Sequence, residues 1–148
     1  MSEIIHSSIE NELKTRGYLT FTFRGVSMMP LLRQGKDLVT IRTVDRRLQE
    51  REVALYKRDS GQLVLHRVIE VYEEGYGIRG DNTFGLEKVR DDQILGVLTE
   101  VIRDGKTISV TDPEYLKYVD RNLKSYPVRM AGRKCRNMLS KARRKLLR

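Results

Sequence analysis

The chain has 148 residues, of which 39% are hydrophobic and 33% charged, and it carries a net charge of +9. That length and balance fit one soluble domain with a modest core and exclude wholesale disorder. No apolar run reaches the roughly eighteen residues of a membrane span, and the N-terminus lacks the basic start and apolar stretch of a secretory signal. The single cysteine, Cys135, excludes an intrachain disulfide and a multi-cysteine metal site, so a cytoplasmic location is the default expectation.

Residues 3–16 predict a short amphipathic helix, because Ile5, Ile9 and Leu13 recur at every fourth position and Gly17 follows. LTFTFR at 19–24 alternates strictly and predicts a strand. DLVTIRT at 37–43, EVALYK at 52–57 and QLVLHRVIEVY at 62–72 predict three more, with RDSG as a turn before the last. EEGYG reads as a turn, IRGDN follows it, and ILGVLTEVI and KTISVT complete a mostly β body. No helices intervene as parallel βαβ units would require. After TDPEYLKY the character changes. From 130 onward apolar residues at 131, 135, 138, 139, 142 and 146 trace a helical stripe on a basic background.

The charge is concentrated at that end. Residues 121–148 hold eleven Lys and Arg and no acid, which leaves 18 basic and 20 acidic residues in positions 1–120. The body is therefore close to neutral, and the tail alone is basic. The tail has three readings: a solvated helix covering part of the body, a helix lying on an anionic membrane surface, or a contact for nucleic acid or an acidic peptide. The apolar stripe, and the lack of stacking aromatics beyond Tyr126, favour the membrane surface over nucleic acid. Peripheral membrane association is then an expectation, with residues 121–148 separable from the body's chemistry.

One serine stands out. In GVSMMP, Ser27 lies between Gly25, which frees the backbone, and Pro30, which restricts it. A hydroxyl becomes a nucleophile only when a base takes its proton. The two histidines are His6, in the leading helix, and His66, in VLHRV, where Val64 and Val68 share its face by the period-two rule. His66 is either a core histidine or a base shielded from bulk water. Imidazole is largely neutral at pH 7 and can accept a proton. Lys36 sits in a polar turn and is a poor rival base. Met28 and Met29 either line a cleft and touch substrate or pack the core.

FRGVSMMPLLRQGKD, REVALYKRDSGQLVLHRVIEV, YGIRGDN and ILGVL occur in the order of the blocks of the signal peptidase-like serine peptidases, the superfamily that also holds the LexA-type repressors. The chain resembles that family over roughly residues 19–110. Gly35-Lys36-Asp37 has one residue more than the family's Gly-Asp, and Arg51-Glu52 stands where a second Gly-Asp is usual. No apolar run in this sequence matches the family's membrane anchor, so the expectation is a likeness to its small soluble members.

The resemblance implies a mainly β, LexA/signal peptidase-like fold in three parts. These are an N-terminal helix (1–18), a β catalytic domain (19–111) and a basic helical tail (112–148). It implies a serine endopeptidase cleaving a peptide or protein through an acyl-enzyme. Ser27 would be the nucleophile, and His66 the base where many relatives use lysine. Asp81 and Asn82 match the Gly-Asp-Asn box. Either Glu87 or Asp81 would orient the base, and no metal or cofactor is called for. The alternative is a non-enzymatic peptide-binding or regulatory module on the same fold. A complete DNA-binding repressor is not expected, because only about eighteen residues precede the β body.

Overall fold

A computed structural model of the chain describes residues 2–147, with side chains from Ser8 onward. The two helices and eight strands run in the order α1 (Ser2–Arg16), β1 (Tyr18–Thr22), β2 (Leu38–Arg42), β3 (Val53–Lys57), β4 (Leu63–Tyr72), β5 (Gly75–Arg79), β6 (Glu87–Arg90), β7 (Ile94–Arg103), β8 (Lys106–Ser109) and α2 (Pro113–Leu146). The protein is mainly β. Its strands form one antiparallel sheet in the order β1-β2-β7-β3-β4-β5-β6, with β8 paired to β7.

The expected leading helix is present as α1. Leu13 is buried and Ile9 packs against the same core cluster, while the side chains of Ile5 and His6 lie outside the described residues. Gly17 ends α1 with a φ of 79° and donates its N–H to the Leu13 carbonyl at 2.9 Å, the left-handed stop that suits glycine.

The sheet has a core on each face. On one face Leu13, Met28, Leu31, Leu32, Val39, Ile41, Val53, Leu55 and Leu65 pack with Tyr115 and Val119 of α2. On the other, Ala54, Tyr56, Val64, Val68, Tyr76, Ile78 and Val89 close around Leu48. Strand β3 lies between β7 and β4 with both faces covered. That is why VALY is continuously apolar instead of alternating. Tyr56 pairs with Val64 and Ala54 with His66, so all four side chains share the second face.

One expectation is corrected, and one strand was not anticipated. The turn read at EEGYG is confined to Glu73 and Glu74, because β5 begins at Gly75. EKVR forms β6, pairing β5 through Tyr76↔Val89 and Ile78↔Glu87. Four residues with one buried side chain carry too little alternation to announce a strand.

The terminal helix begins at Pro113, next to the expected start of the helical tail at 112, and runs through Pro127. Its first half is held by burial of Tyr115, Val119 and Met130 on the body, and tertiary packing supplies most of a helix's stability. In the turn before Pro127, the Asn122 carbonyl accepts from the Ser125 hydroxyl (3.3 Å) and the Arg129 guanidinium (3.2 Å). The predicted stripe is not what packs: residues 134–147 are all exposed. Among the described residues, no helix is long and apolar enough to cross a membrane.

Candidate active site

Two turns meet at one edge of the second face. The first carries Ser27 after Gly25, whose φ of 114° lies where L side chains are strained. The second is Gly80–Thr83, at the end of β5. Asn82 N–H donates to the Ser27 carbonyl at 2.8 Å, and the Asn82 side-chain amide donates to the Val26 carbonyl at 3.1 Å. Asp81 N–H reaches the Met28 sulfur at 3.4 Å. The serine box and the Gly-Asp-Asn box, 53 residues apart by that last contact, are thus clasped together.

Gly80 brings His66 into the same place. A Cβ on Gly80 would lie 2.7 Å from the Ser27 carbonyl oxygen, 3.0 Å from His66 Nε2 and 3.0 Å from the Thr83 methyl. Only a residue without a side chain lets the serine turn and the imidazole approach so closely. Ser27 is partly exposed, and its hydroxyl has no hydrogen-bond partner among the described residues. The Ser27 carbonyl and His66 Nε2 are therefore neighbours across Gly80, and no hydrogen bond joins the Ser27 hydroxyl to the imidazole.

His66 is 8% exposed. Its Nδ1 faces the Tyr56 hydroxyl at a long 3.4 Å. That hydroxyl donates to Glu87 Oε2 at 2.8 Å, and Arg58 holds both Glu87 oxygens at 2.8 Å each. A phenol has one proton. With it committed to Glu87, the Tyr56 oxygen accepts from Nδ1–H, and the Nε2 lone pair is left toward Gly80 and Ser27. That is the tautomer a general base needs.

Burial lowers the His66 pKa below 6.5, opposed by Glu87, reinforced by Arg58 and opposed again by Asp81, so the ring is neutral at pH 7. The two Arg58 hydrogen bonds, aided by the Tyr56 hydroxyl, hold the Glu87 carboxyl below its ordinary range against the effect of burial. Burial, then Glu87, pushes the Tyr56 phenol up, so it stays a donor.

Neither carboxylate expected to orient the base touches it. Glu87 acts on His66 through Tyr56. Asp81 spends its oxygens elsewhere: Arg67 donates Nε to Oδ1 and Nη2 to Oδ2, both at 2.7 Å, and the Tyr118 hydroxyl donates to Oδ2 at 3.0 Å. Met28 is 1% exposed and belongs to the core. It packs there with the first-face cluster, and its sulfur accepts from the Asp81 N–H. Met29 is exposed beside Ser27. Asp37 of the Gly-Lys-Asp segment is a buried anchor gripped by Arg33 and Arg103 (2.8 and 2.6 Å), whereas Lys36 is exposed.

Sequence reasoning did not single out Tyr56, Arg58, Gly80 or Tyr118. The period-two pairing of Tyr56 with Val64, two residues from His66 on one face, was the available signal for the first. A cleft of about 230 Å³ opens beside His66, walled by Ile78, Arg79, Phe84, Leu86 and Glu87.

These features define a mainly β protein in which the carbonyl of a turn serine and a buried, neutral histidine approach across a glycine, with a cleft beside the histidine. Compared with protein-family models and with curated proteins, the chain matches none.

Proposed function

We propose that the protein is a serine endopeptidase of the signal peptidase-like type, with Ser27 as nucleophile and His66 as general base. The observation that carries the reading is the convergence of the Ser27 turn and His66 Nε2 on the one point that Gly80 leaves vacant. The ordered sequence blocks support it independently. Catalytic hydrogen bonds often tighten only when substrate arrives, and the Ser27 hydroxyl has no competing partner to release.

In this mechanism His66 Nε2 takes the Ser27 proton as Oγ bonds to the scissile carbonyl carbon. The Ser27 N–H, which has no acceptor among the described residues, would donate to the oxyanion. The imidazolium passes its proton to the leaving amine as the C–N bond breaks, giving an acyl-enzyme. Water, deprotonated by His66, attacks the ester, and the proton returns to Ser27. Tyr56 and Glu87 stabilise the transient positive charge: Nδ1–H points at an oxygen whose own proton is drawn to a carboxylate.

The unbonded Ser27 hydroxyl also suits a second reading, a module that binds an extended peptide without cleaving it. Cleavage of a randomised peptide library, read by mass spectrometry, separates the two. Cleavage lost in both Ser27→Ala and His66→Ala supports the enzyme. Cleavage indifferent to both substitutions sinks the dyad.

The tail carries a further part of the proposal. Met138, Leu139, Leu146 and Leu147 are exposed among Arg133, Lys134, Arg136, Lys141, Arg143, Arg144 and Lys145. Such a helix end suits an anionic membrane surface, where apolar side chains enter the boundary and the bases meet headgroups.

A further inference from the structure

The buried and half-buried arginines among the described residues fall into two sets. Arg33 and Arg103 bind Asp37, Arg58 binds Glu87, and Arg67 binds Asp81. Arg79, Arg129 and Arg133 have no carboxylate partner, and these three lie together beside the cleft. Arg79 lines it with His66, and its guanidinium carbon sits over the Tyr126 ring, 3.3 Å from the ring centre. Arg129 donates to the Asp81 and Asn122 carbonyls at 3.1 and 3.2 Å. Arg133 donates to the Asn82 carbonyl at 2.6 Å and sits over Phe84, another cleft wall.

The nearby acids are already engaged. Glu87 is neutralised by Arg58, and Asp81 by Arg67. With His66 neutral, the cleft has an excess of positive charge from guanidinium groups that have lost water without gaining a counterion. Burial lowers the Arg79 pKa, the mark of that uncompensated desolvation. An incoming carboxylate would regain the lost interaction, and arginine's planar fork suits one in two-point contact. Ile78, Phe84 and Leu86 offer apolar walls to the stem of a side chain, and about 230 Å³ is side-chain scale.

We propose that this cleft is a specificity pocket for an acidic side chain, Asp or Glu, near the scissile bond of the substrate peptide, with Arg79 as its principal anchor. The peptide bond in that statement rests on the peptidase reading, whereas the acidic preference does not.

The test uses the full chain carrying Ser27→Ala, so that nothing is cleaved. The probes are alanine-serine dodecapeptides blocked by fluorescein on the N-terminal amine and by C-terminal amidation, carrying a central Glu-Asp or Gln-Asn pair. Blocked ends make any preference a side-chain effect. Fluorescence anisotropy should give the Glu-Asp peptide about ten-fold tighter binding, from one charge-assisted contact. Arg79→Gln should bring the ratio near one, and Arg133→Gln, on the helix surface, should reduce it. Equal affinity for the two peptides overturns the proposal, as does a preference that survives both substitutions. Should Arg79→Gln fail to fold by circular dichroism, the peptide comparison and Arg133→Gln decide. Library cleavage without enrichment of Asp or Glu around the cut sites also overturns the acidic pocket and leaves the peptidase intact. Acidic binding with no cleavage by the wild-type chain does the reverse.

Discussion

Arg67 and Asp81 form a two-bonded ion pair, 2.7 Å on each arm, with side chains 0% and 2% exposed. Their sequence neighbours meet as well: His66 Nε2 faces Gly80 on the other side of the strand. Two adjacent residues of β4 therefore grip two adjacent residues of the Gly-Asp-Asn turn. The ion pair sets the turn's position, and the glycine sets how close the imidazole comes to Ser27. Arg67 also donates to the Arg51 carbonyl at 2.7 Å, which ties the pair to the chain entering β3.

Removing one partner should be costly. Asp81→Asn leaves a buried guanidinium without its counter-charge and should destabilise the fold by about 3–5 kcal/mol in urea unfolding, the usual penalty for an orphaned buried charge. The double change Arg67→Met with Asp81→Leu should be less damaging than the single one. A single-variant loss below about 1 kcal/mol would contradict the anchoring role.

Gly80→Ala tests the convergence itself. The new methyl would press on the Ser27 carbonyl, at 2.7 Å, and on His66 Nε2, at 3.0 Å, so one of the two must shift. Peptide cleavage should fall by about 100-fold, the scale of a 1 Å misplacement at a reacting centre. Retention of full activity would show that the Ser27–His66 approach is not used.

Tyr56→Phe removes the acceptor for the His66 Nδ1 proton and keeps the ring's packing. The expected result is a fall in kcat of about ten-fold or more with little change in KM, since the hydroxyl steadies the charged imidazole and not the substrate. Nitrogen NMR of His66 should show the Nδ1–H tautomer in the wild type and a mixture in the variant. Identical tautomer populations would remove Tyr56 from the relay.

The pH profile follows from the His66 environment. Its pKa is lowered by burial, so the active neutral form persists below pH 6.5, and kcat/KM should fall only as pH drops through a midpoint under that value. Glu87 raises the pKa and Arg58 lowers it. Glu87→Gln removes the first and leaves the second unpaired, so the midpoint should move to still lower pH. A shift to higher pH would overturn the electrostatic assignment.

The expected separation of the tail at 121 needs amendment. Tyr126 donates to the Thr83 carbonyl at 2.7 Å, while Arg129 and Arg133 hold the Asp81 and Asn82 carbonyls. Helix α2 therefore braces the site as far as Arg133. A chain ending at Arg133 should lose sedimentation with vesicles rich in anionic lipid and keep its peptide cleavage, whereas one ending at 120 should lose both. Unchanged vesicle binding by the first truncation would exclude the exposed end as the membrane contact.

Much of the sheet was legible because antiparallel strands write themselves into sequence as alternation bounded by turn residues. LTFTFR, QLVLHRVIEVY and ILGVLTEVI all lie at observed strands. Ser27 and His66 were legible as candidates because nucleophile and base must be particular residue types. Their support was not. Tyr56 reads as one more aromatic in an apolar strand, and only the β3–β4 register places its hydroxyl between His66 and Glu87.

The resemblance put Glu87 first, and Asp81 second, as the residue to orient the base. Their hydrogen-bond partners, Tyr56 and Arg58 for Glu87 and Arg67 for Asp81, come from the tertiary structure alone. The basic composition of the tail is a property of local sequence and needs no fold to be seen. Where α2 begins, which half packs, and which arginines are left without a carboxylate depend on contacts between segments far apart in the chain. Burial and charge pairing are properties of those contacts, and no single stretch of residues contains them.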